Sequence, residues 1–125
     1  MLTGFFIMKT TLPKLKKKAQ DKFNAWIRNR DRDLGCISCG NPIDHAGHYF
    51  SAGHYSALTM DEMNVHAQCK RCNLFLHGNL INYRMGLIQR YGEDYVNELE
   101  GKSINAVKKW SRQELEEIIL RYKIK

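Results

Sequence analysis

Two Cys-x-x-Cys pairs, Cys36-Ile-Ser-Cys39 and Cys69-Lys-Arg-Cys72, constrain this chain more than any other feature. Each pair can present two thiolates from one tight turn, and four thiolates complete a tetrahedral Zn²⁺ site. The alternative is that some are ordinary buried cysteines, but Gly40 and Asn73 follow the pairs as turn or helix-start residues would. We therefore predict a zinc ion. A closed four-thiolate site has no position for water, so this ion should stabilise the fold and not hydrolyse a substrate.

Length and the absence of long apolar runs set the class of protein. The chain has 125 residues, which suits one hydrophobic core, and we expect a single domain over 1–125. No apolar run approaches the roughly 20 residues that span a bilayer, which argues against a membrane protein. The apolar start, Met1 to Met8, lacks the basic beginning and cleavage site of a secretory signal, so we expect a cytoplasmic protein. In that reducing compartment paired cysteines hold metal more often than they form disulfides.

The net charge points to nucleic acid. Lys and Arg number 20 against 13 Asp and Glu, and the resulting charge of +7 is typical of proteins that contact phosphate backbones. The candidate contacts are Lys14, Lys16, Lys17 and Lys18, then Arg28, Arg30 and Arg32, then Lys70 and Arg71 in the second cysteine pair, and finally Arg84, Lys108 and Lys109. The lysine run could instead be a solvated helix face. Nothing in this set resembles a reader of base edges, so we expect salt-sensitive recognition of backbone shape.

Apolar spacing predicts an α+β fold that is mostly helical. From Thr11, apolar residues recur at three- and four-residue steps, which predicts a basic amphipathic helix and its exit over 11–34. Short β-prone pieces predict two strands within a core over 35–79. The remainder, 80–125, should be helical: one helix stops at Gly92, a short one covers 95–99, and Ser111-x-x-Glu114 is a capping box for the last.

Histidine and asparagine side chains are concentrated around the cysteine pairs. They are His45, His48, His54, Asn64, His66, Asn73 and His77. Hydrolysis of a phosphodiester needs a base that activates water and a divalent cation that stabilises charge on the phosphate and leaving oxygen. One histidine and one hard-metal site would supply both.

The pattern of a His in a Gly-containing turn, an Asn 16 residues later, and a Cys-x-x-Cys followed by a polar residue resembles the zinc-stapled HNH nuclease motif. The resemblance implies a ββα-metal core, also called a His-Me finger, with flanking N- and C-terminal helices. It also implies that His48 is the general base, Asn64 orients it, and Asn73 binds a catalytic Mg²⁺ or Mn²⁺. Because Gly47 directly precedes His48, the second metal ligand would be His45 or Asp44.

Three other histidines have alternative interpretations. His54 repeats the Ala-Gly-His-Tyr context of His48 and could be the base, but the spacing of His48 to Asn64 fits the HNH pattern better. His66 is either a catalytic or phosphate-contacting residue or a hydrogen-bonded structural histidine. We interpret His77 as a surface helix residue.

Over a longer part of its length, the chain is similar to the NinG, or Rap, recombination family of lambdoid phages. The matching runs are Asn24–Leu34, Cys36–Gly40, Ala46–Tyr49, Asn64–Cys69, Cys72–Asn73, Gly78–Leu80 and Tyr83–Arg84, within roughly residues 15 to 123. The family implies a phage- or prophage-encoded, metal-dependent endonuclease that cuts branched DNA such as Holliday junctions and D-loops in the bacterial host. Paired cuts across a junction imply a homodimer. Family members carry Asp where this chain has His45, and longer ones begin with an additional basic, cysteine-bearing region.

Two rival functions remain open from the sequence. A non-catalytic zinc module would bind branched DNA with or without magnesium and leave it intact. A structural or protein-interaction zinc domain would use its helical C-terminal third as a partner surface and show no salt-dependent DNA binding.

Overall fold

A computed structural model describes residues 10–124 of the chain. The apolar segment Met1 to Met8, for which we expected no signal function, lies outside the described residues. The elements are α1 (Leu12–Asp31), β1 (His45–His48), a 3₁₀ turn (Ser56–Leu58), β2 (Val65–Gln68), a π-helical turn (Arg71–Phe75), α2 (Leu80–Tyr91), α3 (Glu93–Lys102) and α4 (Arg112–Arg121). This is a helix-rich α+β fold with one small antiparallel sheet, as the sequence predicts.

Helix α1 is capped at its start and buries one stripe of residues. The Thr11 hydroxyl accepts a hydrogen bond from the Lys14 amide at 3.4 Å, and Pro13 lies in the first turn. Leu15, Ala19, Phe23, Ile27 and Asp31 are buried, each four residues after the last. The four apolar members of this stripe pack against Leu115, Ile118 and Ile119 of α4 and against Val65 of β2. This packing forms the first core.

The two faces of the small sheet point toward different helices, one toward α1 and the other toward α2. They pair antiparallel, with His45 opposite Gln68 and His48 opposite Val65. Ala46 and Val65 join the core beneath α1. Gly47 lies opposite His66, whose ring is 3.2 Å from the Tyr83 hydroxyl of α2, so this pair of residues faces α2. Because side chains alternate along a strand, His48 shares the α1 side with Ala46, whereas His45 shares the α2 side with Gly47.

A second core joins α2 and α3 to the first cysteine pair. Its buried members are Ile37, Tyr83, Leu87, Val96 and Leu99. At Gly86, a Cβ atom would lie 1.9 Å from the carbonyl oxygen of Ile37, so only glycine allows α2 to approach the pair this closely. The first cysteine pair is therefore fixed directly on α2.

Helix ends follow local sequence, with two differences. Gly92, at φ 95°, ends α2, and both hydrogen bonds of the Ser111–Glu114 capping box form, as predicted. Helix α3 spans Glu93–Lys102 and is longer than the predicted 95–99, because Glu93 and Asp94 favour its N-terminus. His77 is exposed but lies in a turn with φ 51°, so its expected helical position is wrong.

Within residues 10–124, none of the helices combines the length and apolarity needed to cross a membrane.

Candidate metal centre and catalytic site

The four cysteines converge between the sheet, the π-helical turn and α2. The Sγ atoms of Cys36, Cys39, Cys69 and Cys72 all lie within 4.8 Å of one another, and those of Cys39 and Cys69 are 3.6 Å apart. Zn–S bonds of about 2.3 Å in a tetrahedron separate neighbouring sulfurs by about 3.8 Å. The four thiols could therefore hold one zinc ion with small adjustments.

Hydrogen bonds around the cysteines orient the sulfur atoms. The Cys72 amide and the Asn79 side-chain amide donate to the Sγ atoms of Cys69 and Cys72, respectively, each at 3.4 Å. Donors of this kind stabilise thiolate charge and fix ligand direction. In the first pair, Gly35 adopts φ 79°, and a Cβ there would lie 2.7 Å from the carbonyl oxygen of Gly40. The tight turn around Cys36 and Cys39 therefore requires glycine at position 35.

Two candidate ligands of the catalytic metal come together beside the second cysteine pair. The Nδ1 atom of His45, the first residue of β1, lies 3.2 Å from the Nδ2 atom of Asn73 in the π-helical turn. A rotation of the Asn73 amide would turn its oxygen toward the same point. Asp44 is exposed, and its carboxylate accepts a hydrogen bond from the Lys70 amide at 2.8 Å. Of the two alternatives for the second ligand, His45 is the one that contacts Asn73.

The ring of His48 has a defined tautomer. Its Nε2 atom lies 2.9 Å from the carbonyl oxygen of Thr59, which can only accept, so Nε2 carries the proton and Nδ1 keeps its lone pair. The Nδ1 atom is the one at which this tautomer could accept a proton. Burial lowers the pKa of His48, although the bond to Thr59 opposes this. The ring is therefore neutral at pH 7.

Asn64 braces the loop that supports His48. Its side chain is fully buried and bonds three backbone groups: it accepts from the Phe50 amide at 2.8 Å and donates to the carbonyls of Phe50 and Leu58, each at 3.0 Å. Thr59, whose carbonyl holds His48, follows directly after Leu58. The side-chain hydrogen bonds of Asn64 thus hold the backbone on both sides of the loop, including the residue before Thr59.

The structure does not bring the base candidate into contact with the ligand candidates. Strand alternation directs His48 and His45 to opposite sides of the sheet. His54, the alternative base, is exposed, and its Nδ1 atom lies 3.0 Å from the Ser51 hydroxyl. In a hydrolytic site the water activated by the base would have to reach a phosphate held on the other side of the strand.

His66 has the geometry of a structural histidine. It is fully buried, and its two ring nitrogens lie 3.2 Å and 3.3 Å from the hydroxyls of Tyr83 and Tyr95. Burial lowers its pKa to about 3, and the nearby Arg30 charge adds to this. No ring atom is open to a substrate, in contrast to the catalytic alternative.

The candidate phosphate contacts divide into free and engaged side chains. Lys14, Lys16, Lys18, Lys70, Arg71 and Lys109 are exposed, and Arg28 is half-buried. Lys17 pairs with Asp21, Arg32 with Asn29, Arg84 with Glu100, and Lys108 with Glu114. Arg30 departs from the expectation: its guanidinium binds the Asp31 carboxylate and the carbonyls of Glu62 and Val65. Its donors hold α1 against β2, which is a structural role.

Sequence reasoning missed Asp31. This fully buried carboxylate accepts from Arg30 at 2.7 Å and from the Ala67 amide of β2 at 2.9 Å. Burial alone would raise its pKa, but these bonds outweigh it and the pKa is lowered. The sequence does contain one indication that Asp31 is buried, because Asp31 continues the four-residue series of buried residues in α1. Arg90 was also missed; it donates to the carbonyls of Leu34 and Gly35 before the first cysteine pair.

The fold and its four-cysteine centre define a helix-rich α+β protein that could bind a structural metal. The family model described as Bacteriophage Lambda NinG protein matches residues 8–125, and the chain belongs to this family. Curated relatives include Protein ninG of Escherichia phage lambda, 42% identical over 112 residues that cover 87% of this chain and 54% of the relative. Protein ninG of Salmonella phage P22 is 43% identical over the same shares of the two chains.

Protein ninG of Escherichia phage 933W is 43% identical over 112 residues, which cover 87% of this chain and 55% of that relative. The chain thus spans about half the length of the curated relatives it matches. No solved structure matches it.

Proposed function

We propose that this chain is a metal-dependent DNA endonuclease of the HNH type that prefers branched recombination intermediates, such as Holliday junctions or D-loops. The observation that carries the proposal is the contact between His45 and Asn73, two side chains 28 residues apart that meet beside the second cysteine pair. If the Asn73 amide turns its oxygen toward this point, an imidazole nitrogen and an amide oxygen could together bind the divalent cation of a phosphodiesterase.

The four cysteines are proposed to hold a structural Zn²⁺. With four thiolates the site is closed, so its role is to lock the two cysteine pairs together. Asn73 follows Cys72 directly, and Lys70 and Arg71 lie between the two thiols of the second pair. The zinc site would therefore fix the position of Asn73, the candidate ligand of the catalytic metal, and of the cationic side chains of Lys70 and Arg71.

His48 is proposed as the general base. Its Nε2–H is fixed on the Thr59 carbonyl, so the Nδ1 lone pair could accept a proton from water. Burial keeps the ring neutral, which is the protonation state that a base requires. A Mg²⁺ or Mn²⁺ ion at His45 and Asn73 would supply charge stabilisation for the phosphate and the leaving oxygen.

The cationic surface is proposed to hold the DNA backbone. Lys70 and Arg71 are exposed at the second cysteine pair, and Lys14 and Lys18 are exposed on α1. The net charge of +7 supports attraction to a polyanion. A homodimer, which would make the two symmetric cuts of a junction, and a cytoplasmic location in the bacterial host belong to the same proposal.

A non-catalytic zinc-containing DNA-binding module is the second candidate. It is favoured by the opposite orientation of His48 and His45 on β1, since the water that a base activates must attack the phosphate that the metal holds. In this case the protein has the same cationic surface and zinc site, but it binds DNA without cutting it.

Cleavage of labelled four-way junction and of linear duplex tests the two candidates. The purified chain is assayed with Mg²⁺, with Mn²⁺ and with EDTA, beside His48→Ala and the matched His54→Ala. Metal-dependent cutting that His48→Ala abolishes supports the nuclease and its base, whereas loss only in His54→Ala moves the base to the loop. Junction binding without cutting under either metal establishes the binding module instead.

A further inference from the structure

Several exposed apolar side chains follow the second cysteine pair, in or directly after the π-helical turn and on α2. They are Leu74, Phe75, Leu76, Leu80, Ile81 and Met85, which we call the apolar rim. Phe75 is 68% exposed and Ile81 is 81% exposed. An aromatic ring this exposed among apolar neighbours is typical of an interaction site. The rim begins directly after Asn73, so it borders the proposed catalytic metal site.

The charge around the rim favours a polyanion as its partner. From Met63 to Gly92, a stretch of 30 residues, the chain contains no Asp or Glu but four Lys and Arg residues. Lys70 and Arg71 are exposed immediately before the rim. Arg84 is paired across the surface with Glu100 at 3.1 Å. Apolar side chains beside the exposed Lys70 and Arg71 match a ligand with both flat faces and phosphates, which is the chemistry of nucleic acid.

The rim is held rigidly on the cysteine centre. The Leu76 amide donates to the Arg71 carbonyl at 2.9 Å, and the Gly78 amide donates to the Cys72 carbonyl at 2.8 Å. His77, Gly78 and Asn79 all adopt positive φ, which reverses the chain sharply before α2. An apolar group that is fixed in advance loses little conformational freedom when it enters a stack of bases.

We propose that the apolar rim, led by Phe75, inserts at the branch point of DNA and stacks on bases that are unpaired or loosely stacked there. This inference rests on the proposed function and adds a basis for the preference for branched substrates. In linear duplex every base face is covered by its neighbours, so insertion must first separate a stacked step. At a branch point the face is already open, and the same side chains stabilise the complex without that cost.

Junction binding in EDTA, where no cutting occurs, tests the inference in the whole chain. A four-way junction carries 2-aminopurine at the branch point, and its fluorescence falls when a side-chain ring stacks on the open face of this base. Phe75→Ala is compared with Ile104→Ala, a control residue that is 72% exposed and follows α3 outside the rim, and with Phe75→Tyr. Matching circular dichroism melts establish that each variant is folded.

We expect Phe75→Ala to weaken junction binding by about tenfold or more, within the range for loss of one stacked base. It should lose the fall in fluorescence and leave linear-duplex binding unchanged, whereas Ile104→Ala and Phe75→Tyr behave as wild type. Equal junction affinity in Phe75→Ala and Ile104→Ala overturns the inference. So does sedimentation in which wild type is a dimer and Phe75→Ala a monomer, since the rim is then a self-association surface.

Cutting with Mg²⁺ or Mn²⁺, measured separately, keeps the two proposals distinct. If wild type and Phe75→Ala cut at equal rates and with the same preference for junctions, the rim proposal is refuted but the nuclease proposal is not. Phe75-dependent junction binding by a protein that cuts nothing supports the rim and refutes the nuclease.

Discussion

Replacing Asp31 by Ala removes the buried carboxylate that joins the end of α1 to β2. Asp31 is fully buried, accepts two hydrogen bonds from Arg30 at 2.7 and 2.9 Å, and accepts one from the Ala67 amide at 2.9 Å. Without it, the Arg30 guanidinium loses its countercharge and the Ala67 amide loses its acceptor. The first core and the strand that carries Ala67 should therefore separate more easily.

The expected loss follows from how far each partner is shielded from water. Breaking a buried ion pair by removing one partner costs about 3–5 kcal/mol. The Arg30 side chain is 25% exposed and keeps its bonds to the carbonyls of Glu62 and Val65, so water can compensate part of the loss. We expect Asp31→Ala to lower the free energy of unfolding by about 3 kcal/mol.

Asp21→Ala provides the matched control. Asp21 lies on the same helix and pairs with Lys17 at 2.8 Å, but the two side chains are 62% and 76% exposed. An exposed pair at this spacing contributes about 0.3–0.5 kcal/mol. The two losses should therefore differ by about 2 kcal/mol or more.

Urea denaturation followed by circular dichroism measures both variants. Free zinc is held constant, because an ion that binds only the folded state adds to its stability. A loss below about 1 kcal/mol in Asp31→Ala, similar to that in Asp21→Ala, would refute the claim that the Arg30–Asp31 pair is a buried structural link.

Two further predictions concern the zinc and the base. Metal analysis should find one zinc ion per chain, and its removal by a chelator, or the Cys69→Ser substitution, should lower helical ellipticity and the unfolding temperature; a metal-free protein with the same melt would contradict this. The pKa of His48 is lowered, so the neutral base persists as the pH falls below 6.5, and junction cutting should decline only as the pH passes through that lower pKa. An acidic limb above pH 6.5 would show that His48 is not the titrating base.

The sequence predicts the helices and the cysteine centre well because local rules govern them. The stripe from Leu15 to Ile27, the stop at Gly92 and the Ser111–Glu114 capping box depend on spacing and on residue type within one element. The Cys-x-x-Cys pairs carry their own turn geometry. These features need no knowledge of distant contacts, and the structure confirms them.

The features that the sequence does not predict depend on contacts between distant parts of the chain. Arg30 and Asp31 lie in a run of alternating charges that suggests a solvated surface, yet they meet β2 more than 30 residues later. His66 shares a motif with Asn64, but only the tertiary structure shows that Tyr83 and Tyr95 enclose it. The choice of His45 over Asp44 likewise rests on the contact with Asn73 across the sheet and the π-helical turn.

The metal requirement of junction cutting tests the central claim most directly. Cutting rates are measured at rising Mn²⁺ concentration for wild type, His45→Ala, Asn73→Ala and Asp44→Ala, with junction binding in EDTA as the control for folding and affinity. We predict that His45→Ala and Asn73→Ala need at least about tenfold more Mn²⁺ or cut nothing, while Asp44→Ala stays closer to wild type and all four proteins bind equally. The account would be contradicted if wild type cuts no junction at any Mn²⁺ concentration. It would also be contradicted if His45→Ala and Asn73→Ala need no more Mn²⁺ than wild type.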